Sequence, residues 1–209
     1  MNQIILAIDT SQGTTVAVLS DGKVTAEAMD QNPMLHAENI GKLIASCLTK
    51  AEILASQVTD VAVGVGPGPF TGLRVGLAAA KMFAAGTAAR LHGVGSLDAI
   101  AFDLDLLAPT LVVSDARRSE VYFGLFKGKS ENGTPKSLMG PGVSKQAELE
   151  EGLRASGQSY ELVTGAVRAS SVGLLALAQI ADGAKSGAIQ ANYLREPDAI
   201  QASVKKVSG

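Results

Sequence analysis

The chain of 209 residues is 46% hydrophobic and 18% charged, which is enough apolar material for a sizeable core at a length that fits one large domain or two small ones. Its formal net charge of −2 supplies no basic field, so tight independent binding of nucleic acid is not expected, and any nucleic acid would be held mainly by a partner. The single cysteine, Cys47, fits a reducing compartment, and the longest apolar stretch, "GLAAAKMFAAG", is broken by Lys81; the expectation is a cytoplasmic chain with no membrane partner.

In chain order, "IILAI" (4–8) reads as a buried strand, 9–14 as a turn and "TVAVLS" (15–20) as a returning strand. "DGK" (21–23) is then a hairpin turn into "VTAEAM" (24–29). The first run has no Lys or Arg ahead of it and meets Asp9 within one strand length, which marks a strand and not a signal peptide. "HAENIGKLIASCLTKAEI" (36–53) places apolar residues at Ile40, Leu43, Ile44, Cys47, Leu48 and Ala51, the spacing of a helix with one buried face. "VTDVAVGVG" (58–66) is a strand and "LRVGLAAAKMFAAGTA" (73–88) a helix. "DLDLLAP", with Pro109 at its end, marks the expected boundary between residues 1–104 and 105–209. Beyond it come the strand "VYFGL", a helix over 144–156, a strand over 160–165 and a helix over 170–183. The final segment is expected to pack back on the first half.

The two halves repeat. At an offset of 106, Ile5 to Asp9 falls on Leu111 to Asp115, Thr15 to Leu19 falls on "VYFGL", and Gly22-Lys23 falls on Gly128-Lys129. The expected class is α/β, built of duplicated domains, each a mixed sheet that opens with antiparallel strands and is flanked by helices.

"GVGPGPFTGLRVG" (64–76) sits between a strand and a helix, as phosphate loops do, yet Pro67 and Pro69 remove two of the backbone donors such a loop needs. Neither the dinucleotide nor the Walker spacing is satisfied. The prolines make a stiff turn that fixes the start of the helix, with Thr71 as N-cap or anion donor. Along that helix Gly72, Gly76, Ala80 and Ala84 recur every four residues, a strip of small side chains over which either the chain's own sheet or a partner's helix can come close. Asp9, at a strand end beside Thr10, Ser11, Thr14 and Thr15, could reach a phosphate-bound magnesium or water, or could simply cap its own turn. Its counterpart Asp115 is followed by Arg117 and Arg118, which could meet a shared anion or lie solvated. His36 and His92 are isolated from each other and from Cys47, so no metal set is expected, and both histidines read as surface residues.

The duplicated unit resembles the actin, hexokinase and sugar-kinase superfamily, that is, actin-like (RNase H-like) domains. Within it, "LAIDTS", "GPGPFTGLRVG", "DARRSEVYFGLF" and "YLREPDA" together resemble the TsaB family of bacterial proteins required for threonylcarbamoyladenosine formation in tRNA. The common family form has Ser where Pro69 stands. The resemblance implies a non-catalytic subunit that pairs with the catalytic paralogue TsaD, meets the ATPase component TsaE only through the complex, touches tRNA only indirectly and forms a homodimer when the partner is absent. It places the pairing on Gly72, Leu73, Arg74, Gly76, Leu77 and Ala80 of one helix and on Ile40, Leu43 and Cys47 of the preceding one. Asp9, Ser11, Thr14, Thr71, Arg117 and Arg118 are then vestigial nucleotide or anion contacts. No catalytic residue, metal or cofactor of its own is expected, with ATP and magnesium only at a complex interface. The paralogous family carries a His-x-x-x-His metal pair where Ser96 and Ile100 stand here. The alternative is an enzyme acting alone, an actin-like-fold ATPase or a glycoprotease-like peptidase.

Overall fold

The run Ile4–Asp9 forms a strand, β1, buried at every position. It lies between Thr14–Ser20 (β2), which pairs with it antiparallel, and Asp60–Gly64 (β4), which pairs with it parallel. A strand with neighbours on both edges and helices on both faces meets no water, so its apolar run is nearly continuous rather than alternating. Lys23–Asp30 (β3) and Arg90–Val94 (β5) complete a sheet of order β3-β2-β1-β4-β5. Thr110–Asp115 (β6), Glu120–Lys129 (β7), Pro135–Lys145 (β8) and Glu161–Thr164 (β9) form a second sheet of order β8-β7-β6-β9. This computed structural model describes residues 3–32, 35–187 and 189–195.

The duplication extends to register. Ile5 pairs with Leu19 and Asp9 with Thr15 in the first sheet, while Leu111 pairs with Leu125 and Asp115 with Val121 in the second, the same partners displaced by 106. The turns differ. Asp21 and Gly22, with φ of 48° and 77°, close the first hairpin in the two-residue form that positive φ at both positions favours. Gly128-Lys129 is not a turn, against expectation. β7 runs through both residues, Gly128 at φ 73° gives its N–H to the Leu106 carbonyl at 2.8 Å, and the chain reverses at Ser130 to Gly133.

Among the described residues five α-helices fill the layers: His36–Lys50 (α1), Phe70–Thr87 (α2), Ser96–Phe102 (α3), Gln146–Ala155 (α4) and Ala169–Ala181 (α5). The first ends at Lys50 and not at residue 53, because Ala51 caps the Cys47 carbonyl and Glu52 turns to φ 56°. α1 and α2 cover one face of the first sheet over a core of Leu6, Ile8, Val16, Val61, Val63 and Leu77. α4 covers the outer face of the second sheet. Between the sheets the halves exchange helices: α5 packs on β1, β2 and β4, while α3 packs on β6, β7 and β8. One core therefore holds Ile5, Ala7 and Leu19 together with Val112, Tyr122, Phe126, Val172 and Leu175. Gly173 permits the contact, since a Cβ there would stand 2.5 Å from Leu19 Cδ1. Among the described residues no helix is long and apolar enough to cross a membrane.

Candidate functional site

The carboxyl ends of β1 and β4 lie side by side, because Ile8 pairs with Val63, and this register sets Asp9 beside Gly64. Asp9 is 1% exposed. Its Oδ1 accepts the Ser11 N–H at 2.7 Å and the Ser11 hydroxyl at 2.6 Å, and its Oδ2 accepts the Ser96 hydroxyl at 2.8 Å. Burial pushes the Asp9 carboxyl above its usual range, with the Ser11 and Ser96 hydrogen bonds pulling the other way. Gly64 makes room: a Cβ there would fall 1.8 Å from Asp9 Oδ2. Ser96 also accepts the Gly66 N–H at 3.2 Å and returns its own N–H to the Gly66 carbonyl at 2.9 Å, tying the start of α3 to the proline loop, where Gly66–Pro67 is cis.

Two of the neighbouring hydroxyls also find partners in the chain. Thr14 Oγ1 shares a hydrogen bond of 2.7 Å with His36 Nδ1, and Thr15 Oγ1 accepts the Ala169 N–H at 3.2 Å at the start of α5. Thr10 Oγ1 is buried without a hydrogen-bond partner and faces α2, 2.2 Å from where a Gly76 Cβ would stand. A Gly72 Cβ would meet the Thr10 carbonyl at 2.5 Å. These distances correct the alternative that the strip of small residues is a seam for a partner. Gly72, Gly76, Ala80 and Ala84 are buried in the chain's own fold, as are Leu73, Leu77, Ile40 and Cys47. Of the residues expected at a partner's helix, Arg74 is exposed and Leu43 is half-buried. Thr71 is not the N-cap either: α2 begins at Phe70, its N-cap is Pro69 without a side-chain bond, and Thr71 is exposed.

Both histidines are buried, against the expectation of surface residues. His36 is 6% exposed behind Thr14, and His92 is 9% exposed with Nε2 2.7 Å from Asp60 Oδ1. Asp60, fully buried, also accepts Arg90 at 2.8 Å and Thr59 at 2.8 Å. Burial raises its carboxyl, but these donors outweigh it and hold the group below its usual range. Ser96 and Ile100 occupy successive turns of α3, Ser96 spent on Asp9 and Ile100 5% exposed in the core. In the second half the Asp115 carboxylate accepts the Arg117 N–H at 2.9 Å, and Arg117, Arg118 and Ser119 are exposed at φ 63°, 53° and 61°.

A phosphate or divalent cation needs oxygens and N–H groups that are free to turn toward it. Asp9 accepts three hydrogen bonds from within the chain, Ser11, Thr14 and Thr15 are each bonded inside it, and the unpartnered Thr10 hydroxyl faces α2, so the residues present do not fit a nucleotide–metal clamp. Among the described residues no group of three His, Cys, Asp or Glu side chains converges as a metal set.

Residues 32–201 match the family model described as TsaD: tRNA N6-adenosine threonylcarbamoyltransferase. An uncharacterised protein of Mycobacterium tuberculosis is 34% identical over 206 residues, 93% of each chain. Another, of Mycobacterium leprae, is 36% identical over 71% of this chain but 41% of its own length. The tRNA threonylcarbamoyladenosine biosynthesis protein TsaB of Bacillus subtilis is 33% identical over 60% of this chain and 56% of its own, so the chain spans little more than half of that relative. Among solved structures, an uncharacterised Pseudomonas aeruginosa protein with similarity to peptidase YeaZ superposes with a TM-score of 0.78 at 23% identity, covering 92% of this chain and 100% of that one. That likeness is one of fold.

Proposed function

Because the chain belongs to the TsaD family of tRNA N6-adenosine threonylcarbamoyltransferases, and is similar to its TsaB members, we propose that it is a non-catalytic subunit in the formation of threonylcarbamoyladenosine in tRNA. It pairs with TsaD, and it meets the ATPase component TsaE and the tRNA through that complex. The observation that carries this reading is the closed Asp9–Ser11–Ser96 network, in which the strand-end carboxylate that a superfamily enzyme would turn toward its ligand is satisfied within the chain. Ser96 and Ile100 stand where the paralogues carry their metal-binding histidines, which points the same way.

The pairing surface is the outer side of α1 and α2, not the buried strip. Ala37, Gly41 and Ala45 lie exposed at four-residue intervals on α1, and a Cβ at Gly41 would meet nothing within 4 Å. On α2, Arg74, Ala78, Lys81 and Met82 are exposed, Met82 at 75%. Small residues on one helix and an exposed methionine on the next allow a partner's helices to approach closely. Without TsaD the same surface would pair two copies about a two-fold axis.

Titration of magnesium-ATP against the purified chain, alone and with TsaD, tests the reading. The expected result is negligible hydrolysis by the chain alone and a complex that forms with TsaD. Hydrolysis that survives repurification and vanishes in Asp9→Ala would favour the enzyme acting alone.

A further inference from the structure

We propose that residues 189–195 form a strap that holds the crevice between the two sheets shut, with Arg195 as its latch. In open α/β sheets this crevice, beyond the carboxyl ends of the strands, is where ligands enter; here the chain's own segment crosses it. Ile189 is 8% exposed and fills the space beside Gly93, where a Cβ would come within 3.0 Å of Ile189 Cγ2. The Asn192 N–H donates to the Val65 carbonyl at 2.7 Å, and the Asn192 carbonyl lies over Gly66, 3.3 Å from a Cβ placed there. Tyr193 packs its ring on Phe70 at 4.8 Å and accepts Arg74 Nε at 3.4 Å. Leu194, half-buried, packs against the core shared by the halves. Arg195 then donates to the Ala116 carbonyl and pairs with Glu120 at 3.3 Å. Up to Tyr193 the contacts are to the first half, and Arg195 grips the second.

Both ends of the strap act on something consequential. Gly66, under Asn192, exchanges hydrogen bonds with Ser96, which in turn holds Asp9. At the other end, Arg117, Arg118 and Ser119 occupy left-handed backbone in succession, a conformation that non-glycine residues keep only where their surroundings enforce it. The bonds across the turn include Arg117 N–H to Asp115, Glu120 N–H to the Arg117 carbonyl at 3.0 Å, Ala116 N–H to the Glu120 carbonyl at 3.0 Å, and Arg195 to Ala116 and Glu120. Releasing Arg195 therefore relaxes the turn and frees the strap together, and access to the buried Asp9 network is conditional on that release.

The inference does not depend on which partner the chain serves and is tested on the whole chain by hydrogen exchange under native conditions. In Arg195→Ala, peptides covering 64–68 and 116–120 are expected to exchange about tenfold faster or more, the scale of losing one charge-assisted bond, while peptides of α1 keep the wild-type rate. Glu120→Gln, which weakens the latch from the other half, must loosen 64–68 as well; it decides the matter alone if Arg195→Ala does not fold. Unchanged exchange over 64–68 in either folded variant, or a uniform rise along the chain, would overturn the strap.

Discussion

Gly64 shows how much of the site depends on one missing side chain. Its absent Cβ is the space that the Asp9 carboxylate fills, so Gly64→Ala is expected to break the Ser11 and Ser96 bonds and lower stability by about 3 kcal/mol or more, the sum of overpacking and a disrupted buried carboxylate. Thermal melting checks it. His36 carries a pH dependence of definite sign. Burial pushes its imidazole below the usual histidine range of 6.5, with Asp30 and Asp9 opposing. The unfolded chain therefore takes up the proton first as pH falls, and stability present above 6.5 declines below it. A melting temperature that drops between pH 7.5 and 5.5, with a smaller drop in His36→Gln, is the expected result; identical slopes in both proteins would contradict it. The sequence pointed to Asp9 and its turn because acid, hydroxyls and strand end are adjacent in the chain. It did not reveal the partners, Gly64 and Ser96, which the parallel pairing of β1 with β4 and of β4 with β5 brings near. The histidines were misread for a related reason: isolation along the chain says nothing of burial, and Thr14 and Asp60 lie 22 and 32 positions away.

At the scale of elements, most strands, four of the five helices and the repeat were legible because hydrophobic period and turn residues are local signals, whereas β5, α3 and the glycine- and proline-containing β8 carry too short or too interrupted a pattern to be read. The direction of the small strip on α2 was not, since a four-residue glycine and alanine spacing describes equally a helix against a neighbour or against its own sheet. Thr10 decides it, and Gly76→Leu is accordingly expected to unfold the chain rather than to split a complex. The opposite is expected of Gly41→Arg on the open side of α1, which should melt at or slightly above the wild-type temperature, because glycine inside an exposed helix is itself unfavourable by about 1 kcal/mol. The start of α5 offers a further test. Glu27 accepts the Ser170 N–H at 2.9 Å and pairs with Arg168 at 3.1 Å. Burial raises its carboxyl, yet these partners outweigh it and the group sits below its usual 4.5. That stabilisation is present above pH 4.5 and is lost as pH falls through the lower folded value. Glu27→Ala should cost about 1–3 kcal/mol at neutral pH and lose its deficit relative to wild type in acid.

For the whole molecule, the exchange of α3 and α5 between the sheets argues that the two repeated halves fold together. Residues 1–104 alone would leave the α5 face of β1 and β2 bare, with Ile5 and Leu19 exposed, so that fragment is expected to aggregate while the full chain melts in one cooperative transition. The repeat was visible in the sequence; the crossing of helices was not, because no local pattern states which sheet a helix covers. The proposed pairing subunit rests on an exposed small-residue face of α1 joined to a fold whose strand-end carboxylate is closed upon itself. The most direct measurement is reconstituted threonylcarbamoyl transfer to tRNA adenosine with purified TsaD and its ATPase component. The account predicts no transfer by this chain alone, robust transfer when it joins TsaD, and loss of transfer and of association in Gly41→Arg with folding intact. Transfer by the chain without TsaD, or full activity of TsaD in its absence, would contradict it.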